Sequence, residues 1–258
     1  MKKFEWKSVL ALALTGALAL GLTACGSSDN GAAATGSNDA GSKAVYRTLD
    51  EIKESGTINI GVFSDKNPFG YVDENGEYQG YDVYYARRLG EDLGVDVNFV
   101  STEAANRIEY LQTGKVDVIL ANFTVTPERA EEVDFAAPYM NVALGVVSKD
   151  DNVITTLDNW NADDSIIVIS GTTAETYLIA NYPDIPLQKF DSYATAKEAF
   201  ENGTSVAWAN DNTEVIAFAL QNEGYTVGIP SLGSALADTY GLDYEDSLVV
   251  EGGKVTAQ

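Results

Sequence analysis

The chain has 258 residues, and its 39 aspartates and glutamates outnumber its 16 lysines and arginines, so the formal net charge at pH 7 is −23. A protein this acidic repels nucleic acid and anionic lipid surfaces, which excludes both as expected binding partners. It contains no histidine and a single cysteine, and this composition excludes the usual zinc sites, histidine-based acid–base or triad catalysis, and an internal disulfide.

The N-terminus has the pattern of an export signal. Lysines precede an uncharged apolar run at residues 9–22, which is too short for an ordinary membrane span. The run ends in Leu22-Thr23-Ala24-Cys25, and this tetrapeptide resembles the lipobox of bacterial lipoproteins. The resemblance implies that residues 1–24 are removed and that Cys25 carries a lipid, which anchors the protein to the extracytoplasmic face of the cell membrane. An ordinary secretory signal cleaved near Ala24 is the alternative.

Residues 25–44 are expected to form a flexible tether. After the cysteine this segment contains small and polar residues and no large apolar side chain, so it cannot bury enough surface to offset the entropy of ordering. We therefore expect the folded part to begin near Val45. It comprises about two hundred residues, which corresponds to one large domain or two small ones.

Short β-rich runs and helical patterns alternate from residue 57 onwards. In chain order, they predict a strand at 57–63, a helix at Tyr81–Leu93, a strand at 95–100, a helix at 105–112 and a strand at 116–121. This order is typical of a mainly parallel sheet with helices on both faces.

The pattern restarts after a further predicted strand at 142–148. It then predicts a strand at 165–169, helices at Thr173–Asn181 and 194–201, a strand at 206–209 and a helix at 213–223. The fold class is therefore α/β with two lobes, the first at 45–143 and the second at 144–234, followed by a tail at 235–258. Because ligands of open α/β sheets bind beyond the carboxyl ends of the strands, we expect a ligand cleft between the lobes.

Arg129 follows the predicted strand at 116–121 and is a candidate for binding a carboxylate. Thr126 is a good N-cap and Pro127 suits the first helical position, so a helix begins there. The helix dipole disfavours a cation in the first turn by about 0.3 to 1 kcal/mol, and a guanidinium is well suited to gripping a ligand carboxylate. The alternative is a surface arginine paired with nearby glutamates.

Two features of the second lobe could complete the site. Gly171, Thr172 and Thr173 follow a predicted strand, and backbone N–H groups at such a helix start can bind an anion. A capping box without a ligand is the alternative. Asp211 lies at the carboxyl end of another predicted strand and could accept the ammonium of a ligand, although it could also cap the next helix.

Two basic residues of the first lobe are candidates for contacting a ligand side chain. Lys66 follows the first predicted strand, and Arg107 lies in the helix predicted at 105–112. Their positions alone suggest this role, and solvated surface charge is the alternative for both.

Several short motifs belong together in this sequence. They are NFTVTPER at 122–129, GEYQGYD at 76–82, GKVD at 114–117, VDF at 133–135, PY at 138–139 and GTT at 171–173. In combination they resemble the bacterial extracellular solute-binding proteins of family 3, which bind polar amino acids, over about residues 60–233. The resemblance implies a periplasmic-binding-protein-like fold of type II.

The resemblance also assigns roles to individual residues. Arg129 matches the arginine that binds the α-carboxylate, with Thr124 and the amide at Thr173 beside it. Asp211 matches the aspartate that binds the α-ammonium. Asn122 stands where family members often have a smaller residue.

The implied function is that of the solute-binding subunit of an ABC importer. A monomer would capture a free polar L-amino acid and deliver it to permease and ATPase subunits in the membrane, with no cofactor, no metal and no catalysis. Residues 102–111 and 121–135 are most similar to the cysteine-binding members, which favours cysteine. A related helix occurs in aspartate and glutamate binders, in which the arginine matching Arg107 reaches the side-chain carboxylate, and glutamine is a further alternative. A dehydratase on the same scaffold and a sensory or adhesive lipoprotein also stay open.

The resemblance breaks near the C-terminus. After PSLGS at 230–234, family chains usually continue for a few dozen residues through a strand and helices that return to the first lobe, before an end resembling 236–252. Here the two pieces abut. Part of the C-terminal return segment is therefore expected to be missing, either in this variant or through an internal deletion.

Overall fold

The computed structural model describes residues 46–232, 249–251 and 254–256. The predicted signal, Cys25, the tether and the junction after Ser234 lie outside these residues. The helices are α1 Leu49–Ser55, α2 Tyr81–Leu93, α3 Arg107–Gln112, α4 Pro127–Ala130, α5 Thr173–Asn181, α6 Tyr193–Glu201 and α7 Asn212–Gln221. The strands are β1 Thr57–Val62, β2 Asp65–Lys66, β3 Gly70–Val72, β4 Tyr78–Gln79, β5 Asp96–Ser101, β6 Val118–Ile119, β7 Leu144–Lys149, β8 Ile166–Ile169, β9 Leu187–Phe190, β10 Ala207–Asp211, β11 Tyr225–Ile229, β12 Val249–Glu251 and β13 Lys254–Thr256. None of the described helices combines the length and the apolar character that a membrane crossing requires.

The first lobe is built on a parallel sheet of three strands in the order β5-β1-β6. β1 pairs with β5 from Thr57 opposite Asp96 to Val62 opposite Ser101. Alternate residues of β1 are buried, and they pack in one cluster with Val83 and Ala86 of α2. The predicted βα alternation of this lobe is confirmed, although β6 is shorter than the strand predicted at 116–121.

A small antiparallel sheet of β2, β3 and β4 was not predicted. Lys66, at the end of β2, pairs with Gly70 of β3. A Cβ at Gly70 would lie 2.6 Å from the backbone oxygen of Phe63, so only glycine lets this hairpin fold so closely over the end of β1. The hairpin thereby fixes the position of Lys66.

Helix α1 also precedes the first predicted strand. The Thr48 side chain accepts a hydrogen bond from the Glu51 N–H at 3.2 Å, and the Glu51 carboxylate accepts one from the Thr48 N–H at 2.7 Å. Gly56 then ends the helix in the left-handed conformation, with φ of 72°. This capping box and terminal glycine are visible in the sequence as T-x-x-E followed by glycine.

The second lobe contains a mixed sheet of five strands in the order β11-β7-β10-β8-β9. β8 is parallel to β10 and β9, whereas β7 is antiparallel to β10 and β11. Four of the five strands of this sheet therefore run in the same direction, as expected for a mainly parallel sheet, and β7 runs against them.

Successive residues of the second sheet alternate between two hydrophobic clusters. Val146 and Val168 pack with Leu178 on one face. Val147 and Ile169 pack on the other face, in a cluster that contains Phe200 and Trp208 of the same lobe and also residues of the first lobe, namely Phe63, Ala104 and Ala121. The two lobes therefore share a hydrophobic core on this face, and the candidate site lies beside it.

Candidate functional site

Lys66 lies at the boundary between the lobes with only 1% of its surface exposed. Its ammonium donates to Oδ1 of Asn122 at 2.7 Å and to Oδ2 of Asp211 at 2.8 Å. Oε2 of Glu214 lies 3.1 Å from the same nitrogen. These four residues, Lys66, Asn122, Asp211 and Glu214, form the Lys66 cluster, which joins the hairpin and the β6 loop of the first lobe to the start of α7.

Aromatic rings enclose the Lys66 ammonium. Nζ lies 4.6 Å from the ring centroid of Tyr193, 5.2 Å from that of Phe69 and 5.5 Å from that of Phe63. Burial by itself lowers the pKa of Lys66, but the carboxylates of Asp211 and Glu214 more than compensate, so its pKa is raised. Lys66 is therefore a buried cation held by two anions and by ring faces.

Asn122 reaches Lys66 because its backbone adopts the left-handed conformation, with φ of 44°. Its N–H donates to Oδ2 of Asp82 at 2.8 Å, and the Tyr139 hydroxyl donates to Oδ1 of Asp82 at 2.7 Å. Asp82 is fully buried, and this burial raises its pKa. The GYD and PY motifs thus supply a carboxylate and a hydroxyl that fix the loop after β6.

Arg107 is buried and donates to backbone carbonyls. Its Nε donates to Ala104 O at 2.9 Å, and its Nη1 donates to Ala121 O at 3.0 Å and to Asn122 O at 3.1 Å. Its Nη2 donates to Gly171 O of the second lobe at 3.0 Å. Burial lowers the pKa of Arg107. In this structure the guanidinium therefore connects the lobes.

Arg129 lies in the short helix α4, whose N-cap is Thr126, as predicted. Its Nη1 donates to Thr124 O and its Nη2 donates to Gly171 O, at 2.6 Å and 3.0 Å. Its Cζ lies 4.7 Å from the ring centroid of Phe123. Thr124 thus contributes its carbonyl to this arrangement.

Gly171 brings the second lobe to both arginines, because its carbonyl accepts from each of them. Thr172 is the N-cap of α5, and its hydroxyl accepts from the Glu175 N–H at 3.3 Å. The Glu175 carboxylate accepts from the N–H of Gly171 at 2.7 Å, one residue earlier than a capping box requires. Thr173 is buried in the first turn of α5.

Asp211 occupies the N-cap position of α7, but its side chain makes no capping hydrogen bond. Its carboxylate accepts from Lys66 instead. A run of direct contacts therefore leads from Arg129 through Gly171, Arg107 and Asn122 to Lys66 and Asp211. The structure brings six predicted residues of the two lobes into one connected group, namely Lys66, Arg107, Asn122, Thr124, Arg129 and Asp211, and Thr172 and Thr173 follow Gly171 in the chain.

Sequence reasoning missed Glu214. Its side chain is buried, and it accepts from Nδ2 of Asn210 at 3.2 Å. Burial raises the pKa of Glu214 to about 7, although Lys66 opposes this change. The signal was present as an acidic residue three positions after Asp211 in a helical pattern, a spacing that places both side chains on one face.

A cavity of about 490 Å³ lies within the first lobe. Its mainly apolar wall comes from residues in 117–125 and from 133–142. Asn122 and Thr124 reach it, whereas Lys66, Arg129 and Asp211 do not line it. Of the predicted site residues, Asn122 and Thr124 alone line the cavity, so the cavity overlaps the predicted site only in part. Within the described ranges, no group of three or more acidic, histidine or cysteine side chains is placed to hold a metal ion.

Comparison with known proteins identifies the family. Residues 58–222 match the bacterial extracellular solute-binding proteins, family 3. The chain is 30% identical to the ABC transporter glutamine-binding protein GlnH of Bacillus subtilis over 224 residues, which cover 85% of this chain and 80% of that protein.

Two solved structures are more similar in sequence. The solute receptor for L-cysteine of Neisseria gonorrhoeae is 51% identical, with a TM-score of 0.71 over 72% of this chain and 77% of that one. The cysteine-binding protein of Campylobacter jejuni is 46% identical, with a TM-score of 0.69 over 72% of this chain and 75% of that one. The predicted two-lobed type II fold is thus confirmed, and the chain belongs to the bacterial extracellular solute-binding proteins of family 3.

Proposed function

We propose that this protein is the solute-binding subunit of an amino-acid ABC importer and that it binds a free polar L-amino acid, with L-cysteine as the first candidate. The observation that carries the proposal is the buried Asp211 carboxylate, which accepts an ammonium group between the lobes. A ligand ammonium has the same charge and the same kind of donors as that of lysine, so Asp211 is chemically suited to either. The identities of 51% and 46% to an L-cysteine receptor and a cysteine-binding protein support cysteine as the ligand.

We assign the other end of the ligand, the α-carboxylate, to Arg129. Its guanidinium donates to the neutral backbone carbonyls of Thr124 and Gly171. A carboxylate is a stronger partner than a carbonyl, because it is charged and accepts two parallel bonds from a guanidinium. The side chain of Thr124 and the N–H of Thr173 are assigned as additional donors.

The other predicted ligand contacts remain predictions. Asn122 and Lys66 border the ammonium end, and Thr172 borders the carboxylate end. Arg107 and Lys66 stay candidates for contacting the ligand side chain, although their donors bind protein acceptors in this structure.

The same proposal covers location and partners. Residues 1–24 direct export, and lipidated Cys25 with the tether at 25–44 holds the protein on the extracytoplasmic face of the membrane. The lobes at 45–143 and 144–234, followed by the tail at 235–258, act as a monomer that delivers the ligand to permease and ATPase subunits. Glutamine is the second ligand candidate, because the relative from Bacillus subtilis is a glutamine-binding protein, and aspartate and glutamate follow.

A thermal-shift screen of the standard amino acids and cystine tests this function. L-cysteine is expected to raise the melting temperature, because a ligand bound only by the native state stabilises it. Arg129→Ala should remove the shift, whereas Arg88→Ala should keep it, since Arg88 pairs with Glu91 and Asp92 on the exposed face of α2.

Two outcomes would contradict the proposal. An undiminished shift in Arg129→Ala would show that the carboxylate binds elsewhere. Chemical conversion of the bound amino acid by the purified protein would point to an enzyme, because a transport subunit returns its ligand unchanged.

A further inference from the structure

Two carboxylates at the start of α7 share one cation. Nζ of Lys66 lies 2.8 Å from Oδ2 of Asp211 and 3.1 Å from Oε2 of Glu214. The exposed fractions of the three side chains are 1%, 8% and 6%, so solvent screens these charges weakly. With both acids ionised, the Lys66 cluster therefore carries one negative charge in excess.

The Lys66 ammonium has as many acceptors as it has hydrogens to donate. An ammonium carries three N–H donors, and Asn122, Asp211 and Glu214 supply three oxygens within 3.1 Å. A ligand ammonium that binds Asp211 must therefore take the place of Lys66 at this carboxylate. Glu214 and Asn122 remain beside Nζ, so Lys66 keeps two acceptors without moving its backbone.

We propose that Glu214 is the second counter-ion of the binding site and neutralises Lys66 while the ligand ammonium occupies Asp211. This inference rests on the proposed function, because it requires a ligand that carries an ammonium group. The Lys66 cluster together with the ligand ammonium then contains two cations and two carboxylates, and these charges balance away from water. Without Glu214, Lys66 and the ligand would compete for Asp211, and their mutual repulsion would weaken binding.

The charge balance also implies that binding expels a proton. Burial raises the pKa of Glu214 to about 7, so at neutral pH part of the population carries a proton there. A second cation at Asp211 favours the ionised form of Glu214. The charged and polar groups that face Glu214 are Lys66 from β2, Asp65 from β2, Tyr193 from α6, and Asp211 and Asn210 from β10.

Calorimetric titration with L-cysteine, and with any amino acid that binds the wild type, tests the role of Glu214. Glu214→Gln keeps the shape of the side chain and its acceptor for Asn210, and it should weaken binding by at least about tenfold. The double variant Lys66→Met with Glu214→Gln leaves Asp211 as the single charge of the cluster and should bind more tightly than Glu214→Gln alone, because it removes the repulsion between Lys66 and the ligand ammonium. Glu201→Gln is the matched control, because Glu201 pairs with Lys197 in a half-exposed position, and its affinity should not change.

The outcomes separate this inference from the proposed function. Failure of the wild type to bind any amino acid overturns the proposed function and this inference with it. Binding by the wild type together with equal binding by Glu214→Gln overturns the inference alone. Weak binding by Glu214→Gln that the added Lys66→Met change does not improve assigns Glu214 a purely structural role and also overturns the inference. Should the single variant not fold, proton release by the wild type decides, and binding without release of a proton counts against the inference.

Proton release gives a second readout that a structural role would not affect. Titrations at pH 7 in buffers of different ionisation enthalpy report the protons released per ligand bound. The wild type should release a fraction of a proton, and Glu214→Gln should release markedly less. Equal release by both proteins contradicts the proposal.

Discussion

The ammonium of Lys66 is surrounded by one amide oxygen, two carboxylates and three aromatic rings, which come from both lobes. Transfer of such a charge from water to the protein interior costs free energy. The paired anions offset this cost only while all partners stay in place. Removal of the cation leaves two buried carboxylates beside each other. A single substitution in the cluster is therefore expected to have a large electrostatic effect.

Lys66→Met should lower the free energy of unfolding by about 3 kcal/mol at pH 7, because it leaves buried charge uncompensated. Urea unfolding followed by tryptophan fluorescence measures this change. Lys189→Met is the control, because Lys189 pairs with Glu175 from a side chain that is 47% exposed and should contribute about 1 kcal/mol or less. Equal effects of the two substitutions would contradict the importance assigned to the buried cluster.

Glu214 gives stability a pH dependence. Burial raises its pKa in the folded protein to about 7, above its ordinary value of 4.5. A raised pKa means that the folded state holds the proton more tightly than the unfolded state, so protonation of Glu214 stabilises the folded state. This stabilisation is complete below pH 4.5 and is lost as the pH rises to about 7.

The free energy of unfolding of the wild type should therefore fall between pH 5 and pH 7 by more than that of Glu214→Gln. Urea unfolding of both proteins at pH 5 and at pH 7 measures this difference. The contributions of ionisable groups that both proteins share cancel in the comparison. The same pH dependence in the two proteins would show that Glu214 does not hold a proton in this range.

At the scale of elements, the turn from β8 into α5 brings the second lobe into contact with the first lobe beside the arginines. Gly171 has a positive φ of 77°, and a Cβ on it would lie 2.6 Å from Cα of Ala105 in the first lobe. Its carbonyl accepts from Arg107 and Arg129. The absence of a side chain is therefore needed both for the turn and for the contact.

Gly171→Ala should push this turn away from the first lobe, weaken ligand binding by about tenfold and destabilise the protein by about 1 to 3 kcal/mol. Calorimetric titration and urea unfolding measure the two effects. Gly203→Ala is a matched control, since Gly203 has a similar φ of 74° but a Cβ there meets only the end of the Lys149 side chain, at 3.4 Å. The control carries the same backbone strain and should keep its affinity; a similar loss of affinity in both variants would argue against a contact effect.

At the scale of the whole molecule, one hydrophobic cluster contains residues of both lobes. Phe63 of the first lobe is fully buried in it, and its ring contacts Tyr193 of the second lobe edge to face, with centroids 5.1 Å apart. Because burial of this surface requires both lobes to be folded, we expect them to unfold together.

Phe63→Ala should lower the free energy of unfolding by about 3 to 5 kcal/mol and divide the calorimetric transition into two, one for each lobe. Val83→Ala is the control, because Val83 is equally buried but belongs to the cluster of the first lobe alone. It should lower the transition temperature without dividing the transition. A single transition in Phe63→Ala would show that other contacts are enough to couple the lobes.

Local sequence patterns determined most of the elements and the two ends of the proposed site. The predicted bounds of α2 and α5 agree with the structure, because helical periodicity and capping signals lie within the segment itself. Arg129 and Asp211 were selected because they follow predicted strands and match family motifs. The hairpin of β2 to β4 was missed, because its strands are two or three residues long and too short to show an alternating pattern.

Only the tertiary structure showed what Lys66 does. It is separated along the chain from Asn122 by 56 residues and from Asp211 by 145, and nothing near Lys66 in the sequence distinguishes it from a solvated surface lysine. The same holds for Glu214, whose spacing from Asp211 was visible but whose burial was not. A local pattern reports on neighbours within a few residues, whereas the burial and pairing of a charge depend on which distant segments the packing of the lobes brings around it.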